Sequence, residues 1–200
     1  VTIQDVTREL AESFGMKRPA GALIADVLPD GPAAKSGLRV GDVVVEYEGH
    51  RVNLSADLPP LVGQTAPGAI ASLGIIRGGK AQSVAVTIAE LPEETVETRS
   101  APSPGPERPG VLGMQLKDLT PAQRKQLGVN QGVLVEKVAE GPALKAGVRP
   151  GDVILQVQGR ALRSAAELHE LASKLPRNKP VPVLVRRGAA ALFLALRISE

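Results

Sequence analysis

The sequence predicts two copies of a small α+β domain, mainly β, each a partly open β-barrel or sandwich of five or six strands with two helices. Three features carry that expectation: an internal repeat of domain length, dense turn punctuation within each copy, and a polar, proline-rich stretch between them.

The repeat comes first. Residues 31–52 read GPAAKSGLRVGDVVVEYEGHRV and residues 141–162 read GPALKAGVRPGDVILQVQGRAL. Ten of the 22 aligned positions are identical at an offset of 110, where this composition would give roughly two or three by chance. Upstream, Gly21-Ala-Leu-Ile matches Gly132-Val-Leu-Val; downstream, RGG (77–79) matches RRG (186–188). The unit is about 90 residues, a domain rather than a solenoid module. The expected organisation is a first domain over 1–90, a linker over 91–108 and a second domain over 109–200. The linker, LPEETVETRSAPSPGPER, is too poor in large apolar groups to order itself by burial and reads as semi-extended chain.

Elements within the second copy follow from local signals. Val111–Leu116 alternates like a strand. Thr120-Pro-Ala-Gln123 is a capping box with Pro at the first helical position, predicting a short helix to about Leu127. Gly132–Val138 is a β-branched strand. Pro142–Ala146 is a helical turn stopped by Gly147, and Gly151-Asp152 leads into the strand Val153–Val157, which Gln158-Gly159 turns back. Ser164-Ala-Ala-Glu167 is a second capping box; its helix runs to about Lys174 and Pro176 ends it. Val181–Arg187 and Ala190–Ile198 form a hairpin around Gly188. The first copy repeats this order, except that Pro59-Pro60 falls in its second helix. With Asp57 as cap both prolines fit the first turn, and the helix must be shorter than its counterpart.

Composition narrows the function classes. Apolar residues are 43% of the chain but aromatics only 2%, so the cores must be aliphatic. No run approaches the roughly 18 apolar residues of a membrane span, and no membrane insertion is expected. Val1 opens into a strand-like pattern without a signal-peptide pattern, so the chain is expected to be a mature or excised piece of something longer. Charge is uneven: residues 1–90 carry 8 basic and 10 acidic groups, residues 108–200 carry 15 and 7. A basic half can attract acidic peptides, nucleic acid or anionic lipid. Nucleic acid is not expected, because Phe193 is the sole aromatic there and single strands need stacking platforms.

Catalysis finds little support in the residues. His50 and His169 are the only histidines, one per copy; neither lies in a triad motif, and there is no G-x-S-x-G turn. With no cysteine and two isolated histidines, neither a metal site nor a cofactor is expected.

The string G-P-A-x-x-(A/S)-G-(L/V)-x-x-G-D-V-(I/V), present at Gly31–Val44 and Gly141–Ile154, resembles the signature of the circularly permuted PDZ domains of HtrA/DegP serine proteases. The whole chain outside the linker is similar to the tandem-PDZ half of the DegP-like endoproteases, with the MucD type nearest. That resemblance implies capture of peptide C-termini or unfolded segments by addition of a strand to a sheet edge. It places the carboxylate loop at Val111-Leu112-Gly113-Met114, the docking edge at Met114, Gln115 and Leu116, and the pocket at Leu168, Leu171 and Ala172. In the first copy Val1 and Ile3 would hold the edge and Leu58, Leu61 and Val62 the helix, with the loop incomplete. The resemblance further implies a periplasmic location, a trypsin-like protease domain in the parent chain, and a share in trimer or cage assembly during protein quality control. A non-proteolytic PDZ adaptor of a membrane-associated or secretion system is the alternative. The conserved-looking Gly and Asp of the repeat are expected to serve caps and turns, and Lys174, Arg177, Lys179, Arg186 and Arg187 a solvated face.

Overall fold

Each copy forms its own antiparallel sheet. The computed structural model describes residues 1–29, 31–89 and 112–198, and the chain divides into two compact units, Val1–Val96 and Glu97–Glu200. The stretch expected as linker lies outside the described residues.

Unit 1 runs β1 (Thr2–Asp5), α1 (Arg8–Ser13), β2 (Ala22–Asp26), α2 (Pro32–Lys35), β3 (Val43–Tyr47), β4 (His50–Arg51), a 3-10 turn (Ser55–Asp57), α3 (Leu58–Gly63), β5 (Ile70–Arg77) and β6 (Lys80–Thr87). Unit 2 repeats the order with β7 (Met114–Asp118), α4 (Pro121–Leu127), β8 (Val133–Val138), α5 (Pro142–Lys145), β9 (Val153–Val157), β10 (Arg160–Ala161), α6 (Ala165–Lys174), β11 (Pro180–Arg187) and β12 (Ala190–Arg197). The sheets run β1-β2-β3-β5-β6 and β7-β8-β9-β11-β12, with β4 on β3 and β10 on β9. Both are open, mainly β layers rather than closed barrels, and α2 and α5 add a single helical turn to the two longer helices of each unit.

Turn chemistry fixes the registers. Glu48-Gly49 and Gln158-Gly159 both take positive φ (48° and 79°; 52° and 74°) and join Tyr47 to His50 and Val157 to Arg160. Two left-handed residues match the twist of the flanking strands, which makes these tight two-residue hairpins. Strand alternation then sends Ala71, Leu73 and Ile75 of β5 into one core with Ile24, Val44, Tyr47 and Val52. In unit 2 the corresponding core holds Val183 and Val185 with Met114, Val135, Ile154, Leu162 and Leu168.

One ion pair recurs in both units. Asp42 and Asp152 are almost wholly buried, and each accepts the backbone amide three residues before it, from Arg39 at 2.8 Å and Arg149 at 2.9 Å. Each also takes two hydrogen bonds from a guanidinium 35 residues on: Arg77 (2.6 and 2.6 Å) and Arg187 (2.8 and 2.7 Å). The same guanidinium reaches the carbonyl of Gly37 or Gly147. The hydrogen bonds that each guanidinium donates to its carboxylate, with the carboxylate's charge behind them, hold both arginines above their usual pKa against the opposing effect of burial. The carboxylates do cap local amides as expected, but the sequence view had Arg187 on a solvated face. It also aligned RGG with RRG one residue off, for Arg77 corresponds to Arg187 and not to Arg186.

Two local expectations are corrected. Leu112 and Gly113 have φ of 57° and 83°, which no strand tolerates, so β7 starts at Met114 rather than Val111; Val111 itself lies outside the described residues. Asp57 does not cap α3: its carboxylate turns back to the amides of Asn53 (3.0 Å) and Leu54 (2.9 Å), tightening the 3-10 turn ahead of the helix. Helix α3 is shorter than α6, six residues against ten, as two prolines in its first turn demand.

Candidate functional site

The edge of the unit 2 sheet is where the sequence placed the docking strand. Among the described residues β7 pairs only with β8, so one side of its backbone is open. Met114 lies opposite Val138, and the Ala139 amide donates to the Gly113 carbonyl at 2.7 Å. In an antiparallel ladder such a bond brackets a pair whose own groups point away from the partner strand. The amide and carbonyl of Met114 therefore face the unpaired edge. Helix α6 packs beside β7, held by Ser164, whose hydroxyl accepts the Glu167 amide at 3.3 Å. The Glu167 carboxylate reaches the Arg163 amide at 2.7 Å, one residue earlier than a capping box would have it.

The loop ahead of β7 is packed backbone to backbone. Leu112's carbonyl accepts the Ala143 amide at 3.3 Å, and a Cβ on Gly113 would meet the carbonyl oxygens of Ala139 and Glu140, each at 3.2 Å. Gly113 is thus demanded by its left-handed φ and by its own chain on one side. A bulky substitution there strains the fold before it reports on any ligand.

The expected pocket residues divide by burial. Met114, Leu116 and Leu168 are core, and Leu112 and Leu171 pack against the same cluster with part of their surface free. Ala172 is half-buried and His169 exposed on α6. Gln115, between Met114 and Leu116 in the strand, has a carboxamide oxygen that is buried without a hydrogen-bond partner among the described residues. In unit 1, Leu58 is core, Ile3, Leu61 and Val62 pack against that core, and Val1 is exposed. Arg108, which precedes the loop by three residues in the sequence, lies outside the described residues.

A feature invisible to sequence reasoning closes the far end of each cleft. Asp118, the last residue of β7, accepts the Ala165 amide at the start of α6 at 2.6 Å. Asp5, the last residue of β1, accepts the Ser55 amide at 2.8 Å. Hydrogen bonds from the Ser55 backbone, then from its side chain, hold the Asp5 carboxyl below its usual pKa.

Among the described residues, each copy is an open sheet whose first strand is an unpaired edge, beside α6 in unit 2 and beside the 3-10 turn ahead of α3 in unit 1. PDZ domain signatures match residues 2–88 and 110–198, and the chain belongs to the PDZ domain family. It is 45% identical over its whole length to a probable periplasmic serine endoprotease, DegP-like, of Pseudomonas putida, covering 42% of that protein. It is 41% identical to the protein of the same description in Hahella chejuensis, covering 43% of it. The chain thus spans less than half the length of these relatives. Among solved structures, it is similar to the HtrA3 PDZ domain bound to a phage-derived ligand (30% identity, TM-score 0.39, 43% of this chain and 81% of that one). It is also similar to an HtrA-type protease with a decapeptide (26% identity, TM-score 0.42, 44% and 28%).

Proposed function

We propose that this chain is the peptide-binding, regulatory PDZ pair of a periplasmic DegP-like serine endoprotease. Its domains would be 1–90 and 109–200, joined by 91–108. The observation that carries the reading is the unpaired β7 edge beside α6, with the Met114 amide and carbonyl turned outward. An extended peptide adds there as a further strand, its backbone bonding to Met114 and Leu116, its side chains on Leu171, Ala172 and the free side of Leu112. Its terminal carboxylate lies toward the 111–114 loop. Such a site takes C-termini or unfolded segments of client proteins, which fits a quality-control role. The relatives' description as endoproteases supports a trypsin-like protease domain elsewhere in the parent chain as the partner of this pair, and weighs against a non-proteolytic adaptor. In the same reading these domains also contribute to trimer or cage assembly.

A calorimetric titration of the whole chain with a short apolar peptide and its C-terminally amidated twin tests this. The free peptide is expected to bind, with the amide of Met114 shifting in parallel NMR spectra. The amidated twin should be weaker by about tenfold or more, near 1.4 kcal/mol. Failure of both peptides to bind the folded chain sinks the reading.

A further inference from the structure

We infer that Asp118, and Asp5 in the first unit, are positioning residues: Asp118 latches the start of α6, and Asp5 the 3-10 turn that leads into α3, onto the edge strand, and so each sets how far its cleft opens. The inference rests on the peptide-binding reading of the β7 edge.

The contact pairs equivalent atoms in both copies. The acceptor is the last residue of the edge strand, and the donor is the first amide beyond the N-cap, at Ala165 after Ser164 and at Ser55 after Leu54. The spacing differs, at 47 residues for Asp118–Ala165 and 50 for Asp5–Ser55. Three extra residues in unit 1 have left the bond in place, so what is held constant is the geometry, not the sequence interval. A helix leaves its first amides without partners inside the helix. Ser164 supplies one acceptor, for Glu167; the acceptor for Ala165 comes from the opposite wall of the cleft. This is what distinguishes Asp118 from an ordinary cap, because cutting its bond loosens the start of α6 against β7, although Leu168 and Leu175 still anchor the rest of the helix. At the other end the Leu112 and Gly113 carbonyls bond to Ala143 and Ala139. The chain is thus tied just ahead of the edge strand and at its last residue, and the stretch from Met114 to Leu116 is left open to a ligand.

The effect on binding follows. With the latch made, α6 is held at one distance from β7, and a ligand strand enters a preformed slot. Without it, the ligand must immobilise the start of α6 as it binds, and affinity falls by that ordering cost.

The test compares the wild-type chain with Asp118→Ala and Asp118→Asn, whose carboxamide oxygen can still accept the Ala165 amide. Each protein is titrated with one short apolar peptide bearing a free C-terminus, and amide hydrogen exchange is followed residue by residue. Asp118→Ala is expected to weaken binding about three- to tenfold and to speed exchange at Ala165 and the first turn of α6. Core amides such as those of Ile154 and Val183 should keep their wild-type rates. Asp118→Asn should bind within about twofold of wild type. If the wild type binds and Asp118→Ala binds equally well, the latch is wrong while the peptide site stands. If core exchange rises with that at Ala165 and Asn does not rescue, Asp118 is merely structural and the inference also fails. If the folded wild type does not bind, the peptide reading has failed. The latch is then judged by exchange alone, and unchanged rates at Ala165 overturn it.

Discussion

The two units share a skeleton and differ in what holds the helix beside the sheet edge. In unit 1 the helix is six residues, carries two prolines in its first turn, and adds polar contacts to the packing of Leu58, Leu61 and Val62. The Tyr47 hydroxyl bonds Thr65 just beyond its end at 2.6 Å, and Asp5 holds the turn before it. In unit 2 the helix is ten residues, and Leu168 and Leu175, both buried, anchor its face and its end. Val157 stands where unit 1 has Tyr47 and offers no hydroxyl. The same architecture is thus retained with a short helix that a tyrosine hydrogen bond supplements, or with a longer helix that carries a second buried leucine at its end. The buried Asp–Arg pair and the strand-end Asp are the parts that did not diverge.

If that pair is equivalent in both units, removing its carboxylate should cost each unit the same. Asp42→Ala and Asp152→Ala are each expected to destabilise their own unit by the lower part of about 3–5 kcal/mol. The lower part applies because the guanidinium left behind keeps about a third of its exposure, 29% for Arg77 and 33% for Arg187. Denaturant unfolding followed by unit-specific NMR resonances measures both. A large disparity breaks the equivalence.

Smaller and confined to one unit is the effect of Tyr47→Phe. It leaves the core filled but removes the bond to Thr65, so unit 1 should lose about 0.5–1.5 kcal/mol while unit 2 is untouched. An unchanged unit 1 midpoint would show that its short helix is held by packing after all, as in unit 2.

Smallest is the acid response of Asp5. Its carboxyl is held below the ordinary value of 3.8 in the folded state. Its contribution is therefore complete above that unfolded value and is lost as the pH falls through the lower, folded one. Asp5→Asn should lower the unit 1 melting midpoint slightly at neutral pH, where the carboxylate contributes in full, and flatten its fall between about pH 5 and pH 2 so that the two curves converge in acid. Parallel wild-type and variant curves would remove Asp5 from the account.

How far the sequence could be read depended on distance along the chain. The capping box at Thr120–Gln123, the Gln158-Gly159 hairpin and the strand Val153–Val157 were legible because each is decided within four or five residues. The repeat extended those readings to a second domain. Asp57 was misread locally: the sequence permits it to face forward to the helix or back to Asn53, and only the 3-10 turn decides. Arg77, Arg187, Asp5 and Asp118 escaped because their partners lie 35 to 50 residues away. No periodicity encodes contacts of that kind. On α6 the sequence marks Leu168 and Leu171 as apolar, but periodicity along a helix cannot say which of two apolar residues is buried and which keeps a free face.

The 35-residue reach of the Asp–Arg pair also sets an order of events during synthesis. As the chain emerges from its N-terminus, Asp152 and β9 are available long before Arg187, which ends the first strand of the last hairpin. Until that arginine arrives, the acid has only the Arg149 amide and cannot be buried without penalty. Closing the core around an unfinished sheet therefore carries the cost of an unpaired buried acid, which is relieved once the hairpin strand bearing the guanidinium is in place.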